Sequence, residues 1–439
     1  MTGIRSGRRA TPRLVGATLA VLLAFTAVAC GSSSSSSGSS SGSSASSGST
    51  SSSLANPLGT PNAASGDPIV VGLITTGTDC AQCTAGSAAE TPAAQAAVAY
   101  VNDYYGGLAG HPMKLVICDN ELDPAKATDC ANQLITDGAK AVITGADSTV
   151  TGWQALHDAG IPVFSQSTAE SKYLDDPDST FVMQDPHALN VDFVIAAAKD
   201  AGTKNVSIIV IDVPAATDTY SDAVKQKFKD AGLDVQIIPV PLGTADMTPQ
   251  AQQIVQSNPD GLVDIVGHDA FCIPAINGLV AAGYTGKIAT ISFCVTDAMR
   301  AAVPSTTVDG MLLAASDALA DPSNPSTQQY LAMLDKYDTA KKTDPQQSTG
   351  IAMLAAFSSL AIATKGMTGD ITPAAIIKAT KGMGTELLPG SGERHFRCSG
   401  KASDTGPSLC SASGLTATLD AAGKPKSYTV FNDSDQLPG

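Results

Sequence analysis

The chain has 439 residues, 43% of them hydrophobic and 5% aromatic, with a formal charge of −15. That length exceeds one ordinary core and points to two lobes. The acidic balance argues against a nucleic-acid partner, whose phosphates are held by Lys and Arg, and leaves small ligands open.

Residues 1–29 read as an export signal, with Arg5, Arg8, Arg9 and Arg13 before and around the start of the apolar stretch Leu14–Ala29. That stretch has 16 residues, short of the roughly 20 that span a membrane. Ala27-Val-Ala-Cys30 resembles the bacterial lipobox, in which the cysteine is acylated and becomes the new N-terminus; Ala27 departs from the usual leucine. The plainer alternative is a secretory signal with an incidental cysteine. Residues 30–66 follow as a tether, since Gly31–Ser53 is almost pure Ser and Gly and can bury nothing. Gly38-Ser-Ser-Ser-Gly42 matches the hydrolase pattern G-x-S-x-G, but without the strand–turn–helix context the chemistry needs.

From Pro68 onward the pattern is α/β. Pro68–Ile74 is a β-branched run suited to a buried parallel strand. An Ala-rich segment from about Ser87 to Asn102 predicts a helix after Pro92, stopped by the glycines of Tyr105–Gly110. Met113–Cys118, Ala125–Asp137 and Ala139–Thr144 continue as strand, helix and strand, and such alternation requires a parallel sheet. Thr149–Ala159, Ile161–Ser165 and Thr180–Met183 extend the first half. After a handover near Asp185-Pro186, a second series runs from the helix Ala188–Ala201 and the strand Val206–Asp212 to the strand Lys287–Phe293. Ile351–Ile362 is apolar all round, which predicts a buried helix too short to span a membrane.

The ordered set of Val101–Gly110, a strand ending at Asp119 and Leu122-Asp-Pro124 before a helix resembles the branched-chain amino-acid-binding family, the type I periplasmic binding proteins of ABC transporters. The resemblance runs from about Pro68 to about Asn432. It implies two Rossmann-like lobes with parallel sheets joined by a three-strand hinge, lobe 1 being 67–185 plus 309–388 and lobe 2 being 186–308 plus 389–439. It also implies that the chain returns to lobe 1 near Val308–Gly310, and that Ser427–Phe431 lies on lobe 2.

In open parallel sheets ligands bind beyond the carboxyl ends of the strands, at helix N-termini. Gly145–Thr149 is such a loop, where Ser148 can cap a helix whose free N–H groups attract a carboxylate. Ser165–Thr168 is another, and Ser167 with Glu170 has capping-box spacing. By resemblance Ser148, Ser167 and Thr168 hold the α-carboxylate and α-amino groups of an amino acid, and Thr76 belongs to a loop that lines the cleft. The opposite wall comes from Asp212–Tyr220, with Tyr220 as a ligand residue, and from Gly267–Phe271, with Asp269 in place of the family's glutamate. Phe271 stands near the position of that glutamate, and Tyr220-Ser221 falls several residues late for the family's Tyr-Gly pair. His268 reads as a polar cleft or surface residue and Trp153 as core.

Nine cysteines less Cys30 leave eight, an even number in an exported chain. Local spacing suggests Cys80–Cys83, Cys118–Cys130, Cys272–Cys294 and Cys398–Cys410. For Cys80-Ala-Gln-Cys83 a structural disulfide competes with a redox dithiol and with pairing to distant cysteines. The resulting expectation is an extracytoplasmic, lipid-anchored solute-binding protein that hands a small polar, carboxylate-bearing ligand to an ABC permease. It needs no cofactor or metal and does no chemistry. The alternative is a ligand-binding sensor signalling to a membrane partner. An enzyme is the weakest reading, since no H-E-x-x-H, supported nucleophile elbow or acid/base pair occurs at a motif spacing.

Overall fold

The computed structural model describes residues 56–78, 85–145 and 150–439. The expected signal, Cys30 and its tether up to residue 55, the Cys80–Cys83 pair and Ser148 lie outside the described residues. The last part of the expected tether, residues 56–66, packs instead on the folded body, where Tyr100 donates its hydroxyl to the Leu58 carbonyl at 2.9 Å and the Asn62 and Ala64 amides donate to the Asp103 and Asn102 carbonyls.

The β-branched run near Pro68 becomes β1 (Ile69–Thr75), flanked by β2 (Met113–Asp119) and β3 (Ala141–Thr144). β4 (Val163–Ser167) and β5 (Thr180–Gln184) extend the sheet beyond β3, giving the order β2-β1-β3-β4-β5 with every pair parallel. The second half supplies β6 (Asn205–Ile211), β7 (Asp234–Val240), β8 (Leu262–Val266), β9 (Lys287–Ile291) and β10 (Leu312–Ala315). β11 (Glu386–Leu387) and β12 (His395–Phe396) form a small antiparallel pair, and β13 (Gly414–Thr418) and β14 (Thr429–Phe431) end the series. The second sheet runs β14-β13-β10-β9-β8-β6-β7, parallel except for β13 and β14.

Helices cover both faces of the first sheet. The helix Ala85–Tyr104 runs through Pro92 without a break, starting earlier than its sequence suggested. Proline removes one N–H and crowds the carbonyl four residues back. Here the surrounding alanines bury closely against the helix Ser348–Ala363, and that packing offsets the loss. Ser348–Ala363 is buried around nearly its whole circumference, as its unbroken apolar sequence requires. Among the described residues no helix is long and apolar enough to cross a membrane. Trp153 lies in the core on the other face and donates its indole N–H to Thr180 Oγ1 at 2.8 Å.

The chain passes between the sheets three times. It leaves the first after Gln184, returns after β10, and crosses again between Cys410 and β13. β10 itself stays in the second sheet although it lies beyond residue 309. Leu388 packs on the first core as its place in 309–388 implies, but Phe396, Cys398 and Cys410 pack there too although they follow residue 388, and Leu409 bridges Val182 of β5. Disulfides join Cys118–Cys130, Cys272–Cys294 and Cys398–Cys410, the three expected pairs that lie within the described residues.

Candidate functional site

A cavity of about 300 Å³ lies where the carboxyl ends of strands from both sheets meet the crossings. Gly145 follows β3 here, and Gln166, Ser167 and Thr168 come from the end of β4 and the loop beyond it. The helix Ala85–Tyr104 adds Glu90, and the first turns of Ser348–Ala363 add Ser348, Thr349, Ala352 and Met353. The second sheet supplies Ile211 from β6, Val266 and Gly267 from β8 and its exit, and Ile291 and Phe293 from β9 and its exit. Pro186, Asn190 and Ser316 from the crossings complete the wall.

The two walls differ in chemistry. Hydroxyls and one carboxyl come from the first-sheet side, whereas the second-sheet side is mostly aliphatic and aromatic. Phe293 is 40% exposed, a large ring held open to the cavity mouth. The Cys272–Cys294 bond ties the helix that starts just beyond Gly267 to the turn that carries Phe293. One covalent link therefore sets the spacing of both loops on that wall.

Behind Ser316 and Ser348 lies Asp317, fully enclosed, its carboxyl pushed up to about 6 by burial. The Leu319 amide and the Ser316 and Ser348 side chains hydrogen-bond it, and Arg394 stands nearby, which together moderate the rise. Burial in turn draws the Arg394 guanidinium down to about 10, which leaves it charged at neutral pH.

Residues 68–406 match the family model described as periplasmic binding protein. This chain belongs to the periplasmic binding protein family. Solved structures agree on the type I fold. The isoleucine complex of LivJ, the branched-chain amino acid transporter substrate-binding protein of Streptococcus pneumoniae, aligns at 16% identity over 83% of this chain and 99% of its own, with a TM-score of 0.63. A solute-binding protein of an ABC transporter from Rhodopseudomonas palustris HaA2, in complex with p-hydroxybenzoic acid, aligns at 21% identity over 84% and 98%, with a TM-score of 0.66. A possible leucine/isoleucine/valine-binding protein from Rhodopirellula baltica SH 1 aligns at 15% identity over 83% and 96%, with a TM-score of 0.62. No curated protein matches the sequence significantly.

In this periplasmic binding protein Ser167 and Thr168 line the cavity, whereas Ser148 lies outside the described residues. Thr168, rather than Ser167, makes the local turn, accepting from the Glu170 amide at 3.1 Å, so the expected capping box is not formed. Thr76 is buried just beyond β1 and is not part of the lining. Tyr220 is buried too, and its neighbour Thr219 lines the cavity instead. Burial pushes the Tyr220 phenol well up.

Asp269 opens the helix Asp269–Ala281 and turns away from the lining. Its Oδ1 accepts from the Ala270 amide at 2.7 Å and its Oδ2 from Thr296 Oγ1 at 3.1 Å. Phe271, at the place of the family's glutamate, is core, and Gly267 lacks the side chain that would collide with its ring. His268 is the residue before that helix, and no metal-holding group of three or more His, Cys, Asp or Glu occurs among the described residues. Glu90, Phe293, Ser316, Ser348 and Thr349 were not singled out from sequence. Only their convergence in space marks them.

Proposed function

We propose that the protein is an extracytoplasmic receptor that captures one small solute between its two lobes and delivers it to an ABC permease without altering it. The observation that carries this reading is the cavity itself, built from the strand ends of both sheets at the crossings. Such a site changes shape when the lobes move about the crossings, so ligand contacts on both walls favour the closed form. The solute is amino-acid-like or otherwise carboxylate-bearing, with an apolar body. Relatives of the same fold hold isoleucine and p-hydroxybenzoic acid, compounds with that general character. Ser148, Ser167 and Thr168 take its carboxylate. Cys30 carries the lipid that holds the receptor at the outer face of the cytoplasmic membrane, with the Ser/Gly tether between them.

A thermal-shift screen of the full chain against amino acids and aromatic carboxylates, followed by titration calorimetry, tests the proposal. One compound is expected to raise the melting temperature and to bind at one per chain. A screen in which nothing shifts the melt, across both compound classes, contradicts it.

A further inference from the structure

Glu90 has a place in the cavity that ordinary solute capture does not require. It projects from the helix Ala85–Tyr104, is only 1% exposed, and forms part of the lining. Thr75 at the end of β1 donates its hydroxyl to Glu90 Oε2. A side chain on Gly145 would collide with the same carboxyl, so the glycine after β3 keeps that space clear. The carboxyl is thus held from the end of β1 and given room at the end of β3.

The surrounding charge is one-sided. Among the described residues lining the cavity, Glu90 is the one ionisable side chain. Asp317 lies behind Ser316 and Ser348. Arg394 directs its donors to the carbonyls of Ser391, Ser413 and Ser316 and lines no part of the cavity. When ionised, a carboxyl held in such a place repels a second anion and rewards a donor or a cation at short range. Ile211, Val266, Ile291 and Phe293 offer an apolar surface on the second-sheet wall.

We infer that Glu90 is the specificity-determining residue of this cleft. The bound solute turns a hydrogen-bond-donating group, an ammonium or a hydroxyl, toward Glu90 and lays its apolar body on the opposite wall. This rests on the solute-receptor reading and adds the chemistry by which the solute is chosen.

Pairs of compounds that differ in the donor test it: L-leucine against 4-methylpentanoate, L-phenylalanine against 3-phenylpropionate, and 4-hydroxybenzoate against benzoate. Each is titrated into the full-length protein and into Glu90→Gln. In the wild type the donor-bearing member of the recognised pair binds about tenfold to a hundredfold more tightly, the span of one charge-assisted hydrogen bond. Glu90→Gln, which keeps the shape and removes the charge, shrinks that ratio to within a few-fold. Twins that bind the wild type equally overturn the inference and leave the receptor reading standing. A discrimination that survives intact in a folded Glu90→Gln also overturns it. If Glu90→Gln does not fold, the wild-type ratio alone decides. No binding by any compound overturns both readings together.

Discussion

Arg394 donates through Nη1 to the carbonyl of Ser413 at 3.0 Å, at the last of the three crossings between the sheets. Its Nη2 reaches the Ser316 carbonyl at 2.8 Å on the second crossing, and its Nε reaches Ser391 at 3.1 Å. From the first crossing Gln184 Nε2 donates to the same Ser413 carbonyl at 3.1 Å and to Asp185 at 2.9 Å. One buried guanidinium and one buried amide therefore join all three passages of the chain. A planar fork with fixed donors suits that task better than an ammonium.

Arg394→Met is expected to lower stability by about 3–5 kcal/mol, because it takes the guanidinium donors from the Ser316 and Ser391 carbonyls, leaves Ser413 with Gln184 alone, and removes the cation near Asp317. Arg394→Lys should recover only part of the loss. Urea unfolding measures both, and a Met variant within about 1 kcal/mol of wild type would show that the crossings do not depend on this residue.

Asp264 gives a pH signature. It is fully buried in β8, and its oxygens find no hydrogen-bond partner at ordinary geometry. Burial pushes its carboxyl up to about 7, the Ile265 amide acting in the opposite direction. Its folded value lies above the unfolded one, near 3.9. The folded state therefore keeps a proton that the unfolded state releases. This group's contribution is at its best below about pH 4 and is lost as pH rises toward 7. Asp264→Asn should stabilise the protein on the order of 3 kcal/mol at pH 8 and far less at pH 4. Equal effects at both values, read from urea midpoints, would contradict this.

The Cys272–Cys294 bond should affect binding as well as folding. Replacing both residues with serine is expected to cost about 3 kcal/mol of stability and to speed ligand release, since the Gly267 and Phe293 loops lose their shared anchor. Removing Cys118–Cys130 should cost a similar amount of stability with ligand release unchanged, because neither residue adjoins a loop that lines the cavity. Stopped-flow release rates of the two double variants separate a wall effect from a general loosening.

Ser167→Ala should weaken ligand binding about tenfold, the scale of a hydroxyl bonded to a charged group. Thr168→Ala should do the same and also lower the melting temperature, because Thr168 Oγ1 holds the Glu170 amide. Calorimetry beside melting curves distinguishes the two. Unchanged affinity in both variants would place the ligand elsewhere.

The sheets were legible because their strands carry their own signal. β1 and β6 are β-branched runs buried by both flanking layers, and Ser348–Ala363 is too apolar to face water anywhere. The three disulfides were legible because each closes a local unit. The cavity was less so. Tyr220 and Asp269 lie within two residues of Thr219 and Gly267, yet they point away from it, since a shift of one or two positions changes the face presented. Glu90 and Ser348 are 258 positions apart in sequence and meet only through packing of their two helices. No local pattern records that meeting.

The central claim, one solute held between the two sheets, is tested most directly by filling the cavity. Ala352 faces it from the helix Ser348–Ala363, so Ala352→Trp places an indole where the solute is proposed to lie. Titration calorimetry with the compound that binds wild type should give one site per chain in wild type and no measurable binding in Ala352→Trp, with a melting temperature within a few degrees of wild type. Wild-type affinity in a folded Ala352→Trp would contradict the account.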